Sequence, residues 1–124
     1  MRQAADAYGK FATTALSPRD LEASLLIKAA ARLQGIQDNW EDRIGDLDAA
    51  LTYNRKLWTI LATSATDEQN PLPSALKQNI ANLAFFVFRR SIDVMIAPAP
   101  EKLAPLISIN REIAAGLRVQ SQAA

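Results

Sequence analysis

The sequence contains neither cysteine nor histidine among its 124 residues. Without cysteine it has no disulfide, thiolate nucleophile or cysteine-ligated metal, and without histidine it has no imidazole base or imidazole ligand. No phosphate-binding loop, calcium loop or paired-carboxylate motif makes up for these absences. The composition therefore argues against an enzyme, and we predict no catalytic residue, no cofactor and no metal site.

An excess of charge of one sign is also absent, as is any long hydrophobic run. Fourteen basic and thirteen acidic side chains leave a formal net charge of +1, which disfavours direct nucleic-acid binding. The longest apolar run, residues 83–88, is far shorter than the ~20 residues that a bilayer-spanning helix needs. Because the N-terminus also lacks the apolar segment of a secretory signal, we expect a cytoplasmic protein without membrane insertion.

Glycine is scarce, with four residues, and the six prolines are confined to a few positions. Hydrophobic residues make up 49% of the chain, alanine is frequent, and no strand-like alternation of polar and apolar residues is present. We therefore predict one all-α domain over residues 1–124, frayed at 1–7 and 120–124. It is a single-domain bundle of about five helices, with long antiparallel helices two and three. The predicted ranges are 3–15, 18–44, 47–65, a fourth helix from 70 or 74 to 97, and a last helix from 101 or 104 to 119.

Several helix ends have recognisable signals. Ser17 before Pro18 is a good N-cap, and Gly45 suits a left-handed helix end, with Asp46 free to cap the next helix. Pro105 lies at the start of the last helix, so we expect its first turn to be kinked or separate.

The fourth predicted helix has apolar residues over more than half of its circumference, whereas a helix on a protein surface needs a narrower stripe. We therefore expect it to be central in the bundle. Its remaining sector holds five residues that could bind a partner, with the aromatic side chain as anchor; alternatively, other parts of the chain cover that aromatic ring. The five are Asn79, Asn82, Phe86, Arg89 and Arg90.

Two asparagines, Asn54 and Asn110, interrupt the apolar faces of the third and fifth predicted helices. A buried amide without partners is costly, which leaves two interpretations open. Each amide is either a core residue that fixes helix register or a polar contact for a partner in a groove. Trp40 and Trp58 lie on apolar faces and are predicted core residues.

Three segments, taken in their order along the chain, resemble segments of one known family. They are residues 53–58 (YNRKLW), residues 79–88 (NIANLAFFVF) and residues 109–117 (INREIAAGL). These strings are similar to the FlaF family of alphaproteobacterial flagellar biosynthesis regulators, and the similarity extends from about residue 8 to the end of the last helix. Pro105 departs from the family pattern.

The resemblance implies a non-enzymatic flagellar factor that binds flagellin as a secretion chaperone and couples flagellin synthesis to export. FlbT, a regulator of flagellin messenger RNA, is a further expected partner. Our leading hypothesis places flagellin in a groove on the fourth and fifth predicted helices, with Phe86, Arg89, Arg90 and Asn110 as contacts. The alternatives are an RNA-associated translational regulator acting with FlbT and a scaffold that self-associates as a homo-oligomer.

Overall fold

The computed structural model describes residues 17–123, with side chains described through residue 121, and these residues form an all-α bundle. Four long helices, each antiparallel to the next, are joined by short turns. The predicted helix over residues 3–15 lies outside the described residues. The helices are α1 (Pro18–Asp38), α2 (Trp40–Arg43), α3 (Leu47–Thr66), α4 (Ser74–Ile96) and α5 (Ala104–Ala123), with 3-10 turns at Ile44–Asp46 and Pro100–Leu103.

Helix α1 begins where the sequence predicted. The Ser17 hydroxyl accepts a hydrogen bond of 3.1 Å from the backbone N–H of Asp20, which satisfies one of the free amides of the first turn. The helix ends earlier than predicted, at Asp38 rather than residue 44. Asn39 leaves the helical conformation and donates its side-chain amide to the Gly35 carbonyl at 3.0 Å. The Asn39 backbone N–H also donates to the carbonyls of Gly35 and Ile36, so the backbone and side chain of Asn39 together cap the end of α1.

The reversal between α1 and α3 differs from the prediction. Gly45 lies in a 3-10 turn, and no glycine from residue 17 to 123 has a positive φ, so the left-handed helix end at Gly45 was wrong. Asp46 does not cap α3 with its side chain but pairs with Arg43 at 3.2 Å. The chain therefore reverses through short helical turns, and α1 and α3 form the predicted antiparallel pair.

The hydrophobic core is centred on α1 and α5, which make the most extensive contact in the bundle. Alanines on α1 allow the two helices to approach closely, and leucines and isoleucines from both fill the contact. The separate 3-10 turn before α5 confirms the expectation from Pro105. Helix α5 continues to Ala123, beyond the predicted end of the last helix at residue 119. The buried residues of this contact include Ala23, Leu26, Ala29, Ala30, Leu33, Leu103, Leu106, Ile113, Ala114 and Leu117.

Helix α4 is not central, contrary to the prediction. It packs mainly on α3 and makes a smaller contact with α5. Only one narrow stripe of α4 is fully buried, and the rest of its apolar surface is half-buried or exposed. The buried stripe is Ile80, Ala84, Val87, Ser91 and Val94.

Candidate functional site

The most unusual surface of the bundle is an exposed apolar stripe along α4. Phe85 is 73% exposed, Ile92 53% and Ile96 78%. These positions follow one another at spacings of seven and four residues, which places them on one face of a helix. Met95 is also exposed on the edge of this face. A continuous exposed apolar stripe of this kind marks an interaction surface more often than scattered single residues do.

The stripe borders a groove between α3 and α4. Its upper part lies beside residues 62–66 of α3 and has a volume of about 250 Å³. Its lower part lies beside residues 55–59 of α3 and has a volume of about 350 Å³. The half-buried Phe88 lines both parts. We call the two parts together the α3–α4 groove. Its lining residues are Arg55, Lys56, Thr59, Ala62, Thr63 and Thr66 on α3, and Ala81, Ala84, Phe85, Phe88 and Ile92 on α4.

The α3 wall of the groove is less polar than its sequence suggests. Thr59, Thr63 and Thr66 each donate their hydroxyl to a carbonyl one turn earlier in α3, at 2.7 to 2.9 Å. Because these hydroxyl groups already donate within the helix, α3 presents the threonine methyl groups to an apolar partner. Both walls of the groove therefore suit apolar side chains.

The charged groups that line the groove are all basic. Arg55 and Lys56 lie on the α3 wall of its lower part, and no carboxylate lines either part. Arg89 is exposed on α4, four residues after Phe85 and three before Ile92, so it borders the apolar stripe on the other side.

The sequence-predicted partner residues lie on a neighbouring face of α4. Asn79, Asn82, Phe86 and Arg89 are exposed, with Phe86 at 37%. The Arg90 guanidinium lies over the Phe86 ring, 5.3 Å from its centroid, and donates to the Lys102 carbonyl at 3.3 Å. The structure therefore brings these residues together on the surface, with Arg90 already engaged within the chain.

Asn54 and Asn110 meet in the core, together with Trp58, and all three are fully buried. The Trp58 Nε1–H donates to Asn110 Oδ1 at 2.8 Å, and Asn110 Nδ2 donates to Asn54 Oδ1 at 2.7 Å. A longer bond of 3.4 Å joins Asn110 Nδ2 to the Leu26 carbonyl of α1. This geometry fits the register-fixing interpretation, and it corrects the prediction of Asn110 as a partner contact because its amide cannot be reached from the surface.

A second cavity, of about 330 Å³, lies at the end of the bundle where α1 begins. Ser17 and Ser121 share a hydrogen bond of 2.8 Å there, and Arg19 donates to the Gln120 carbonyl at 3.1 Å, which ties the ends of α1 and α5 together. Burial raises the pKa of the Glu22 carboxyl above its usual value, and the nearby Arg19 guanidinium partly opposes that rise. These hydrogen bonds therefore hold the start of α1 against the end of α5, which is a structural role.

Among residues 17–123, no group of acidic side chains is arranged to hold a metal ion. None of the helices described combines the length and the apolar character needed to cross a membrane.

The fold and the groove define a class of protein: a small antiparallel helical bundle with an exposed apolar groove on its surface. The family profile described as flagellar protein FlaF matches residues 4–117. The chain therefore belongs to the FlaF family, and its role is in the flagellar system. Searches of curated protein sequences and of solved structures gave no significant match.

Proposed function

We propose that this chain binds flagellin as a cytoplasmic secretion chaperone and thereby couples flagellin synthesis to export. The observation that carries the proposal is the α3–α4 groove with its exposed apolar stripe on a member of a flagellar family. This groove lies between α3 and α4, whereas the hypothesis from the sequence placed the groove on the fourth and fifth predicted helices.

The physical basis is helix-in-groove recognition. The terminal segments of flagellin are expected to be amphipathic helices that associate when exposed, and a groove of this kind buries the apolar side of such a helix. From Ala81 to Ile92 the groove runs along three turns of α4, about 16 Å at 1.5 Å per residue. That length accommodates apolar side chains from three successive turns of a bound helix.

The test is binding of purified flagellin monomer to the full chain, measured by fluorescence anisotropy. Replacing Phe85 and Ile92 together by glutamate should weaken binding at least tenfold, because two carboxylates then occupy the apolar stripe. The matched control replaces Leu21 and Val119 by glutamate, since these are also exposed apolar residues but lie on α1 and α5. Equal binding by both double variants would place flagellin elsewhere.

The neighbouring face on α4 gives a separate prediction within the same assay. Phe86→Ala combined with Arg90→Glu tests whether Phe86, Arg90 and the asparagines beside them contribute contacts. Loss of binding in this variant alone would move the site from the groove to that face.

The exposed stripe also favours a second candidate function, self-association as a scaffold. Sedimentation equilibrium of the pure chain distinguishes the two. If the stripe binds flagellin, we expect the free chain to be monomeric at the concentrations used for binding. If the chain is a scaffold, we expect oligomers that the Phe85→Glu and Ile92→Glu pair dissociates.

A further inference from the structure

The charges around the α3–α4 groove point to the chemistry of the helix that occupies it. Arg55 and Lys56 line the groove on its α3 side. Arg89 does not line the groove but borders the exposed apolar stripe of α4 on the side away from α3. The nearest carboxylates lie outside the groove. Asp93 pairs with Lys102 at 3.3 Å. It lines a separate cavity on the Phe86 side of α4, together with Phe86, Arg89 and Arg90, and it does not line the groove.

Two further groups of acidic residues lie at the two ends of α3. Asp48 lines a neighbouring depression together with Arg32 and Lys56, so Lys56 is shared between that depression and the groove, whereas Asp48 does not line the groove. Asp67 and Glu68 lie in the connection beyond Thr66, after the end of α3. Among the described residues, the groove and the apolar stripe beside it are thus flanked by cations on both sides.

The Arg55 side chain carries a second indication. Its Nε is buried and has no hydrogen-bond acceptor among the described residues, although a buried donor without an acceptor is unfavourable. Arginine offers paired N–H groups that match a carboxylate. A carboxylate brought in along the groove would supply the acceptor that Arg55 lacks when the side chain turns toward it.

We infer that the α3–α4 groove binds an amphipathic helix whose apolar stripe is flanked by aspartate or glutamate on both sides. The apolar stripe contacts Phe85, Phe88 and Ile92, and the flanking carboxylates face Arg55 and Lys56 on one side and Arg89 on the other. This inference rests on the proposed function and narrows its partner to a segment of flagellin with that charge pattern.

The same charges argue against two other occupants. A second copy of the chain, docked stripe to stripe, would bring Arg55, Lys56 and Arg89 close to their counterparts, which is repulsive. Residues 1–16 carry Arg2, Lys10 and one acidic residue, Asp6, so their net charge does not complement a basic groove.

The test uses three synthetic helical peptides with one apolar stripe and flanking positions filled by glutamate, glutamine or lysine. At low salt the glutamate peptide should bind the full chain about tenfold more tightly than the glutamine peptide, as expected for two or three exposed ion pairs. The lysine peptide should bind most weakly. The differences should shrink in 0.5 M salt, because exposed pairs are screened.

A charge-reversed chain provides the matched variant. Lys56→Glu combined with Arg89→Glu should invert the order, so that the lysine peptide binds best, while circular dichroism shows an unchanged fold. Equal binding of the three peptides, an order that the reversal leaves unchanged, or no binding of any peptide would overturn the inference. If the peptides behave as expected but flagellin does not bind, the groove chemistry stands and the proposed function fails.

Discussion

The buried network of Asn54, Trp58 and Asn110 allows the sharpest prediction about stability. Asn110 is its central member, because it accepts from Trp58 at 2.8 Å and donates to Asn54 at 2.7 Å. Asn110→Ala therefore leaves two buried polar groups without their partners, at roughly 1 to 3 kcal/mol each. We expect the free energy of unfolding to fall by about 3 kcal/mol on this basis.

Asn54→Ala is the matched variant and should cost much less. Asn54 Nδ2 has no acceptor among the described residues, so deleting the side chain removes an existing penalty along with the hydrogen bond to Asn110. The two effects oppose each other, and we expect a loss of about 1 kcal/mol or less. Both variants delete the same side-chain atoms at fully buried positions, so they are matched in the side-chain volume that is removed.

The assay is urea unfolding followed by circular dichroism, with the melting temperature as a second readout. A loss of about 3 kcal/mol corresponds to a decrease of about 10 to 15 °C for a domain of this size. Trp58→Phe should remove much of the same interaction, so the Trp58→Phe, Asn110→Ala double variant should cost less than the sum of the single variants. An Asn54→Ala variant as unstable as Asn110→Ala would refute the assignment of Asn110 as the central member.

Three further outcomes are expected. Ser17→Ala should lower the free energy of unfolding by about 1 kcal/mol, while Ser74→Ala should have little effect because Ser74 makes no capping hydrogen bond; urea unfolding measures both. Glu22→Gln should raise the melting temperature at pH 7 and lose that advantage near pH 4, because a carboxyl with a raised folded-state pKa loses stability as pH rises above its usual value of 4.5. A constant advantage at both pH values would contradict this. Val87→Ala should destabilise the fold by about 1 to 3 kcal/mol, whereas Phe85→Ala should change it by less than about 0.5 kcal/mol because the ring is mostly exposed; similar losses in thermal melts would disprove the placement of α4.

The parts of the fold that local sequence determines were predictable. Ser17 capped α1 as expected, and Pro105 marked a separate first turn before α5, because caps and prolines act through neighbouring backbone groups. The early end of α1 at Asn39 was missed, since the apolar pattern continues to Ile44 while the backbone does not. At Asn39 the backbone leaves the helical conformation, and its backbone and side-chain amides both donate to the Gly35 carbonyl.

The candidate site depended on tertiary packing and was predictable only in part. The sequence showed that α4 has more apolar surface than one contact requires, and the exposed Phe85, Ile92 and Ile96 are that surplus. It could not show which neighbour leaves the surplus uncovered. One signal was available: the facing side of α3 carries Thr59, Thr63 and Thr66, which do not form the wide apolar face that would bury α4.

The most direct measurement of the central claim uses the absence of cysteine from the chain. Phe85→Cys and Val119→Cys variants, each labelled with a thiol-reactive photo-crosslinker, place the same probe in the groove and on α5. Irradiation with purified flagellin should give a cross-linked complex from position 85 and little from position 119. Mass spectrometry should then locate the attachment in an amphipathic segment of flagellin. Equal cross-linking from both positions, or none from position 85 while flagellin still binds, would contradict the account.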